Sequence, residues 1–286
     1  MPIYKNWFLE KKIPGKREKG IKHYFLIEKI IFKGKSKFQD ILIFQNPIYG
    51  RILVLDGILQ LTEYDEFIYH EMISHSVLFP HKDPQRILII GGGDGGALRE
   101  VLKHSVEKVH LVEMDKTMIN LAKTHLRFVS QNSFSDERVK VFIERGEKFL
   151  KNTKEKYDII IVDSLNFGEK NSLALFSLKF YKRAFKILTK EGILITLGAS
   201  FLDFENFVKK IFLRLKKIFP KVFILRFCVP SFHCGEYCFL IGSKKIDLKK
   251  AKIEKKFEKF KKKSSLKYFS PEIFKASLTL PKIFKL

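Results

Sequence analysis

Ile87-Leu88-Ile89-Ile90-Gly91-Gly92-Gly93-Asp94-Gly95-Gly96 decides the fold. Four branched apolar residues running into glycines predict a buried parallel strand. The glycines let the backbone turn sharply and approach a ligand with no Cβ in the way. Ala97 to Leu102 reads as the helix that follows. The spacing Gly91-x-Gly93-x-x-Gly96 fits a nucleotide-binding turn, with Gly91, Gly92 and Gly93 as its ligand-facing loop. Asp94 departs from that pattern. A turn that holds pyrophosphate at a helix N-terminus gains nothing from a carboxylate, whereas a cationic ligand does gain. Asp94 therefore points to a positively charged nucleoside rather than a dinucleotide.

The next strand supports that reading. Val109-His110-Leu111-Val112-Glu113-Met114-Asp115 is apolar and ends in an acid ~20 residues beyond the turn, where a ribose-binding carboxylate belongs. Glu113 is the candidate. Its plainer alternative is the neighbourhood of a helix N-cap, but Asp115, directly before Lys116-Thr117-Met118-Ile119, is the better cap.

Outward from this core, the chain divides in two. Residues 1–64 predict a small antiparallel β-domain. His23–Ile30 and Phe38–Phe44 read as strands, and Asp56-Gly57 between Arg51–Leu55 and Ile58–Thr62 is a strong hairpin signal. Residues 65–286 alternate helices and strands, which predicts a parallel doubly wound sheet with ligands at the carboxyl ends of its strands. The expected strands are 87–90, 109–113, 139–143, 158–162, 193–197, 222–227 and 237–241, the last two as an antiparallel hairpin at the sheet edge. Helices are expected at 65–75, 97–104, 116–126, 176–188 and 203–218. The lysine-rich run 244–263 reads as a solvated helix or linker, and Leu266–Leu286 as a tail that packs back on the body.

The chain has 286 residues, 45% hydrophobic, which is ample for a core. No apolar run reaches the ~18 residues of a membrane span. Met1–Gly20 lacks the apolar stretch of a signal peptide. Three cysteines, Cys228, Cys234 and Cys238, suggest reduced thiols and a cytoplasmic location. With His233 they fall short of a zinc set, so no metal is expected. The formal net charge of +24 reads as a lysine-coated surface: the lysines are spread along the chain, and no nucleic-acid-binding motif accompanies them.

Tyr157-Asp158-Ile159-Ile160-Ile161-Val162-Asp163-Ser164 is the fourth strand of the predicted sheet. If the sheet is doubly wound, its carboxyl end lies beside the glycine turn and Asp163 faces the crevice of Asp94. Asp163 then either caps a loop or joins Asp94 in a cleft suited to an amine, where one acid takes a proton.

These motifs together resemble the polyamine aminopropyltransferases, the spermidine synthase family. The likeness is carried by Gly91–Gly96 with Leu98–His104, by Leu55–Gln60, by Asp65–Met72, by Val162-Asp163-Ser164, and by Leu266–Pro271 with Leu280-Pro281. It implies a Rossmann-like, class I methyltransferase-like catalytic domain behind the β-domain, and a homodimer or homotetramer. It also implies transfer of an aminopropyl group from the co-substrate decarboxylated S-adenosylmethionine to putrescine or a related amine. No cofactor is implied. By position, Asp163 is the general base and Asp94 holds the donor's ammonium and repels the carboxylate of ordinary S-adenosylmethionine. Gln39, Gln60, Glu113, Arg145 and Gly146 fall in the donor site. Tyr69, His70, Asp94, Asp163 and Asn166 border the acceptor. For Tyr69 and His70, packing of a helix face is the plainer alternative. The chain departs from the family pattern at Arg145 and Asn166, where acids are usual, at Leu197, near which Gln is frequent, and at Phe232, where Tyr is usual. Two other activities remain compatible with these residues: a methyltransferase, which Asp94 opposes, and a non-catalytic basic binding protein on the same fold, which Arg145 and Asn166 favour.

Overall fold

A computed structural model describes residues 3–11, 21–164, 173–233, 235–282 and 284. Asn166 and Cys234 lie outside the described residues. The chain begins with β1 (Ile3–Tyr4), β2 (Trp7–Leu9) and β3 (Tyr24–Leu26), one antiparallel sheet. A four-stranded antiparallel sheet follows: β4 (Lys29–Lys35), β5 (Asp40–Asn46), β6 (Gly50–Leu55) and β7 (Ile58–Thr62). The expected single strand over 23–30 is two strands in two sheets. The break falls where the Ile27 N–H donates to Asn6 in the β1–β2 turn and the Glu28 N–H to Gln45 of β5 in the second sheet. Between β6 and β7, Asp56 (φ 50°) and Gly57 (φ 83°) are both left-handed, as a two-residue turn matched to strand twist requires.

After α1 (Glu66–Leu78) comes the main sheet, of β8 (Arg86–Gly91), β9 (Lys108–Val112), β10 (Val139–Phe142), β11 (Tyr157–Asp163), β12 (Leu188–Ala199), β13 (Lys221–Cys228) and β14 (Glu236–Ser243). Its order is β10-β9-β8-β11-β12-β14-β13. The first five are parallel; β14 runs antiparallel to β12 and pairs with the edge strand β13. Strand order therefore reverses between β8 and β11, the crevice where ligands bind in open α/β sheets.

Helices α2 (Gly96–Leu102), α3 (Lys116–His125), α4 (Arg127–Ser130), α5 (Gly146–Asn152), α6 (Leu178–Ile187) and α7 (Phe201–Lys216) fill the connections, with α8 (Glu254–Lys261) and α9 (Pro271–Ser277) in the tail. Asp115 caps α3, its side chain accepting the Thr117 N–H. Three short helices, α4, α5 and α9, are too brief for periodicity to reveal. Alternation along β8 sends Ile87 and Ile89 to the core shared with α1 and the N-terminal sheets, and Leu88 and Ile90 to the core under α6 and α7. α1 is buried nearly all round, so its polar residues must find partners inside. The Glu71 carboxylate accepts the backbone N–H groups of Lys267, Tyr268 and Phe269 at 2.8–2.9 Å, which ties the tail to the body. In the lysine-rich run, α8 has no buried residue, although Phe257 and Phe260 pack against the core.

Candidate active site

The site starts from strand register. β11 lies parallel to β8 with Val162 opposite Ile90 and Asp163 opposite Gly91. The Gly92 N–H donates to the Asp163 carbonyl at 3.0 Å. This register brings the glycine turn and the end of β11 to one edge. Beyond the turn, the Asp94 carboxylate accepts the Gly96 N–H at 2.7 Å, which holds it over the start of α2.

The edge opens into a cleft lined by Gln39, Gln60, Gly91, Gly92, Gly93, Asp94, Glu113, Gly146 and Asp163. A smaller, tight chamber is lined by Tyr69, His70, Val229 and Phe232, and shares Gln60, Asp94 and Asp163 with the cleft. The two acids singled out in the sequence thus stand at the junction of two compartments. Arg145 is the exception among the expected donor residues. It does not line the cleft, and its partly exposed guanidinium lies 3.8 Å from Glu147. Its neighbours Glu144 and Glu147 line the cleft instead. Leu197 is fully buried in the core.

Asp163 is buried. The Tyr69 hydroxyl donates to Asp163 Oδ1 at 2.7 Å. Oδ2 has no hydrogen-bond partner among the described residues. Burial, reinforced by the Asp94 charge, pushes the Asp163 carboxyl up to about 6, partly offset by His70 and Tyr69. Burial and the Asp163 charge keep Tyr69 a phenol, its pKa far above the ordinary value.

Asp94 goes the other way. Burial raises it, but the charge and hydrogen bond of His70, the Gly96 N–H and the Arg99 charge together hold it below the usual carboxylate value. Like charges in one cleft have been driven to opposite sides of their common starting point, the pattern of an acid–base pair. Glu113, at the end of β9, is pushed up to about 7 by burial, against the Asp115 N–H it accepts at 2.7 Å.

The ring nitrogen of His70 and the carboxylates of Asp94 and Asp163 lie within 4.8 Å of one another. That ring already contacts Glu66 and Asp94 through its two nitrogens, so His70 and Asp94 belong to an ion-pair network that Asp163 adjoins without joining.

Several contacts around the two acids escaped sequence reading. Glu66 and Arg99 join this network: Arg99 forks onto both Glu66 oxygens at 2.9 and 3.1 Å. The i, i+4 spacing of Glu66 and His70 was a usable signal; Arg99 gave none. Asp65 accepts from Thr62, from the Ser231 N–H and from the Ser231 hydroxyl. This fixes the turn that carries Phe232 over the smaller chamber.

A family model described as the spermine/spermidine synthase domain matches residues 66–252, and one described as the spermidine synthase tetramerisation domain matches residues 6–63. The polyamine aminopropyltransferase of Buchnera aphidicola subsp. Schizaphis graminum is 38% identical over 271 residues, 93% of each chain. That of Caldicellulosiruptor bescii is 37% identical, over 96% of this chain and 95% of its own. Among solved structures, a spermidine synthase in complex with the transition state analogue AdoDATO superposes with a TM-score of 0.92 at 33% identity, over 99% of this chain and 94% of that one. The spermidine synthase of Thermotoga maritima gives 0.90 at the same identity and coverage. Two family models that between them take in most of the three sheets and the cleft, with relatives matched nearly end to end, make this chain a member of the spermine/spermidine synthase family.

Proposed function

We propose that this enzyme moves the aminopropyl group of decarboxylated S-adenosylmethionine to putrescine or a related amine and releases methylthioadenosine. One observation carries the reading: Asp94 and Asp163 face a shared junction, one held ionised and the other raised toward neutrality. The larger cleft takes the nucleoside. Glu113 accepts the ribose hydroxyls, Gln39, Gln60 and Gly146 frame the donor, and Asp94 seats its ammonium.

The smaller chamber takes the amine beside Tyr69 and His70. An alkylamine has a pKa near ~10.4, as for Lys, and arrives protonated. Asp163 Oδ2 removes that proton while Tyr69 steadies Oδ1. The freed lone pair attacks the CH₂ bonded to sulfonium, the N–C bond forms as the C–S bond breaks, and methylthioadenosine leaves with the C–S electron pair. The sulfonium supplies the activation, so no metal or cofactor takes part. Holding nucleophile and carbon in line supplies much of the acceleration.

The exposed apolar side chains Trp7, Ile21, Tyr24, Ile30, Ile48 and Tyr64 support assembly of the enzyme as a homodimer or homotetramer through its N-terminal sheets. Free Cys228 and Cys238 support a cytoplasmic location; no helix among the described residues is long and apolar enough to cross a membrane.

The test is methylthioadenosine release by the purified protein with decarboxylated S-adenosylmethionine and a panel of diamines and polyamines. Release that depends on the amine is expected. A folded protein that releases none with any amine overturns the reading.

A further inference from the structure

We infer that His70 is a positioning residue, a fixed imidazolium that pins Asp94 as an anion and leaves Asp163 as the member of the pair that takes the proton. The inference rests on the aminopropyl-transfer reading. It is carried by one alternation of charge. Asp94 meets His70 Nε2 at 3.3 Å. His70 Nδ1 meets Glu66 at 2.5 Å. Glu66 is forked by Arg99. Arg99 Nε donates to Glu100 at 2.7 Å, and Glu100 meets Lys103 at 2.8 Å near the surface. Anion and cation alternate along six side chains, and every carboxylate in the row touches a cation. Asp163 stands outside the row, and its one partner among the described residues is the neutral Tyr69 hydroxyl.

The geometry at His70 is decisive. A neutral imidazole has one N–H and one lone pair. Here Nδ1 lies 2.5 Å and Nε2 3.3 Å from a carboxylate oxygen, so a lone pair left on either nitrogen would face an anion. Two acids on a nearly fully buried ring make the doubly protonated form the one that fits. The ring is locked in place, because it lies where a side chain on Gly96 would have to be. The titratable groups around it are Glu66 and Tyr69 from its own helix, Asp94 from the glycine turn and Asp163 from β11, with the Arg99 guanidinium of α2 behind Glu66. Two carboxylates sharing a site cannot both ionise freely. A cation beside one of them decides which stays charged.

The test pairs a spectroscopic titration with kinetics. Ring-nitrogen NMR of the intact enzyme is expected to report His70 doubly protonated from about pH 5 to about pH 8, well past the usual histidine midpoint of ~6.5. In Glu66→Gln, which keeps the shape of the acid, the ring is expected to lose its proton at least about one pH unit earlier. In His70→Gln, an amide still donates to Asp94 but brings no charge. The kcat/KM of this variant relative to wild type is expected to rise about tenfold between about pH 6 and about pH 8, because the base now needs higher pH to ionise. A His70 that titrates near 6.5 in the wild type overturns the inference. So does a His70→Gln deficit that is the same at every pH, which marks a purely structural role. The NMR arm needs no turnover, so failure of the inference is distinguishable from failure of the proposed reaction.

Discussion

Gly91 and Asp163 face each other across the β8–β11 pair, and no side chain fits at Gly91 because its Cβ would collide with the Asp163 carbonyl. Gly91 also has φ +84°, where L side chains are strained. The first glycine of the nucleotide turn thus sets the height of the acid on the neighbouring strand. Gly91→Ala is expected to lower the melting temperature and cut kcat by at least about tenfold, since small displacements of a positioned group are costly. Full kcat in that variant would sever the link between the glycine and the acid.

Asp163→Asn is expected to reduce kcat by about 10²–10⁴-fold, the usual worth of a general base. It should also stabilise the fold. A carboxyl raised from 3.8 to about 6 is a liability once pH exceeds the unfolded value, and the penalty is complete above about 6. The gain in the variant is on the order of 1–3 kcal/mol at neutral pH, and it vanishes below about pH 4. Thermal melts at two pH values and methylthioadenosine release measure both halves.

The same carboxyl sets a pH profile. The base works only when ionised, so kcat/KM is expected to fall as pH drops through about 6. Asp94→Asn removes a neighbouring negative charge that raises Asp163, and the acid limb should move to lower pH. That variant should also bind decarboxylated S-adenosylmethionine about 10–100-fold more weakly and lose its discrimination against the carboxylated form. Calorimetry with both nucleosides, beside the pH profile, reads the two effects separately.

Arg145→Ala is expected to leave the KM for the donor within about twofold, because the side chain lies outside the cleft and its ion pair is a surface one. Gly146→Ala is expected to raise that KM by about tenfold or more, since an added Cβ would run into Ile90 at the end of β8. Equal effects of the two substitutions would put the guanidinium back in the donor site.

Much of the fold was legible because its signals are local. Ile87–Ile90 before glycines, Tyr157–Val162 before an acid, and Asp56-Gly57 between apolar runs each state a backbone preference or a periodicity. The edge hairpin of β13 and β14 followed from two strands close in sequence with Pro230 and Gly235 between them. The split of residues 23–30 was not legible. Two sheets compete for that backbone, and the exchange of partners at Ile27 and Glu28 leaves no mark on hydropathy. That Glu144 and Glu147 rather than Arg145 line the cleft was not legible for a related reason: position in a motif fixes the main chain, and which side chain faces the cleft depends on how α5 is rotated.

By itself the sequence determined the strand–turn–helix elements, the doubly wound class, and the acids that end β9 and β11, because periodicity, glycine freedom and capping act over a few residues. Only the tertiary structure decided that Tyr69 reaches Asp163, 94 positions away, and that His70 lies between Glu66 and Asp94. It alone joined two chambers at two carboxylates. Those relationships depend on helix rotation and strand register, and desolvation and charge act through distances that exist only once the core has packed.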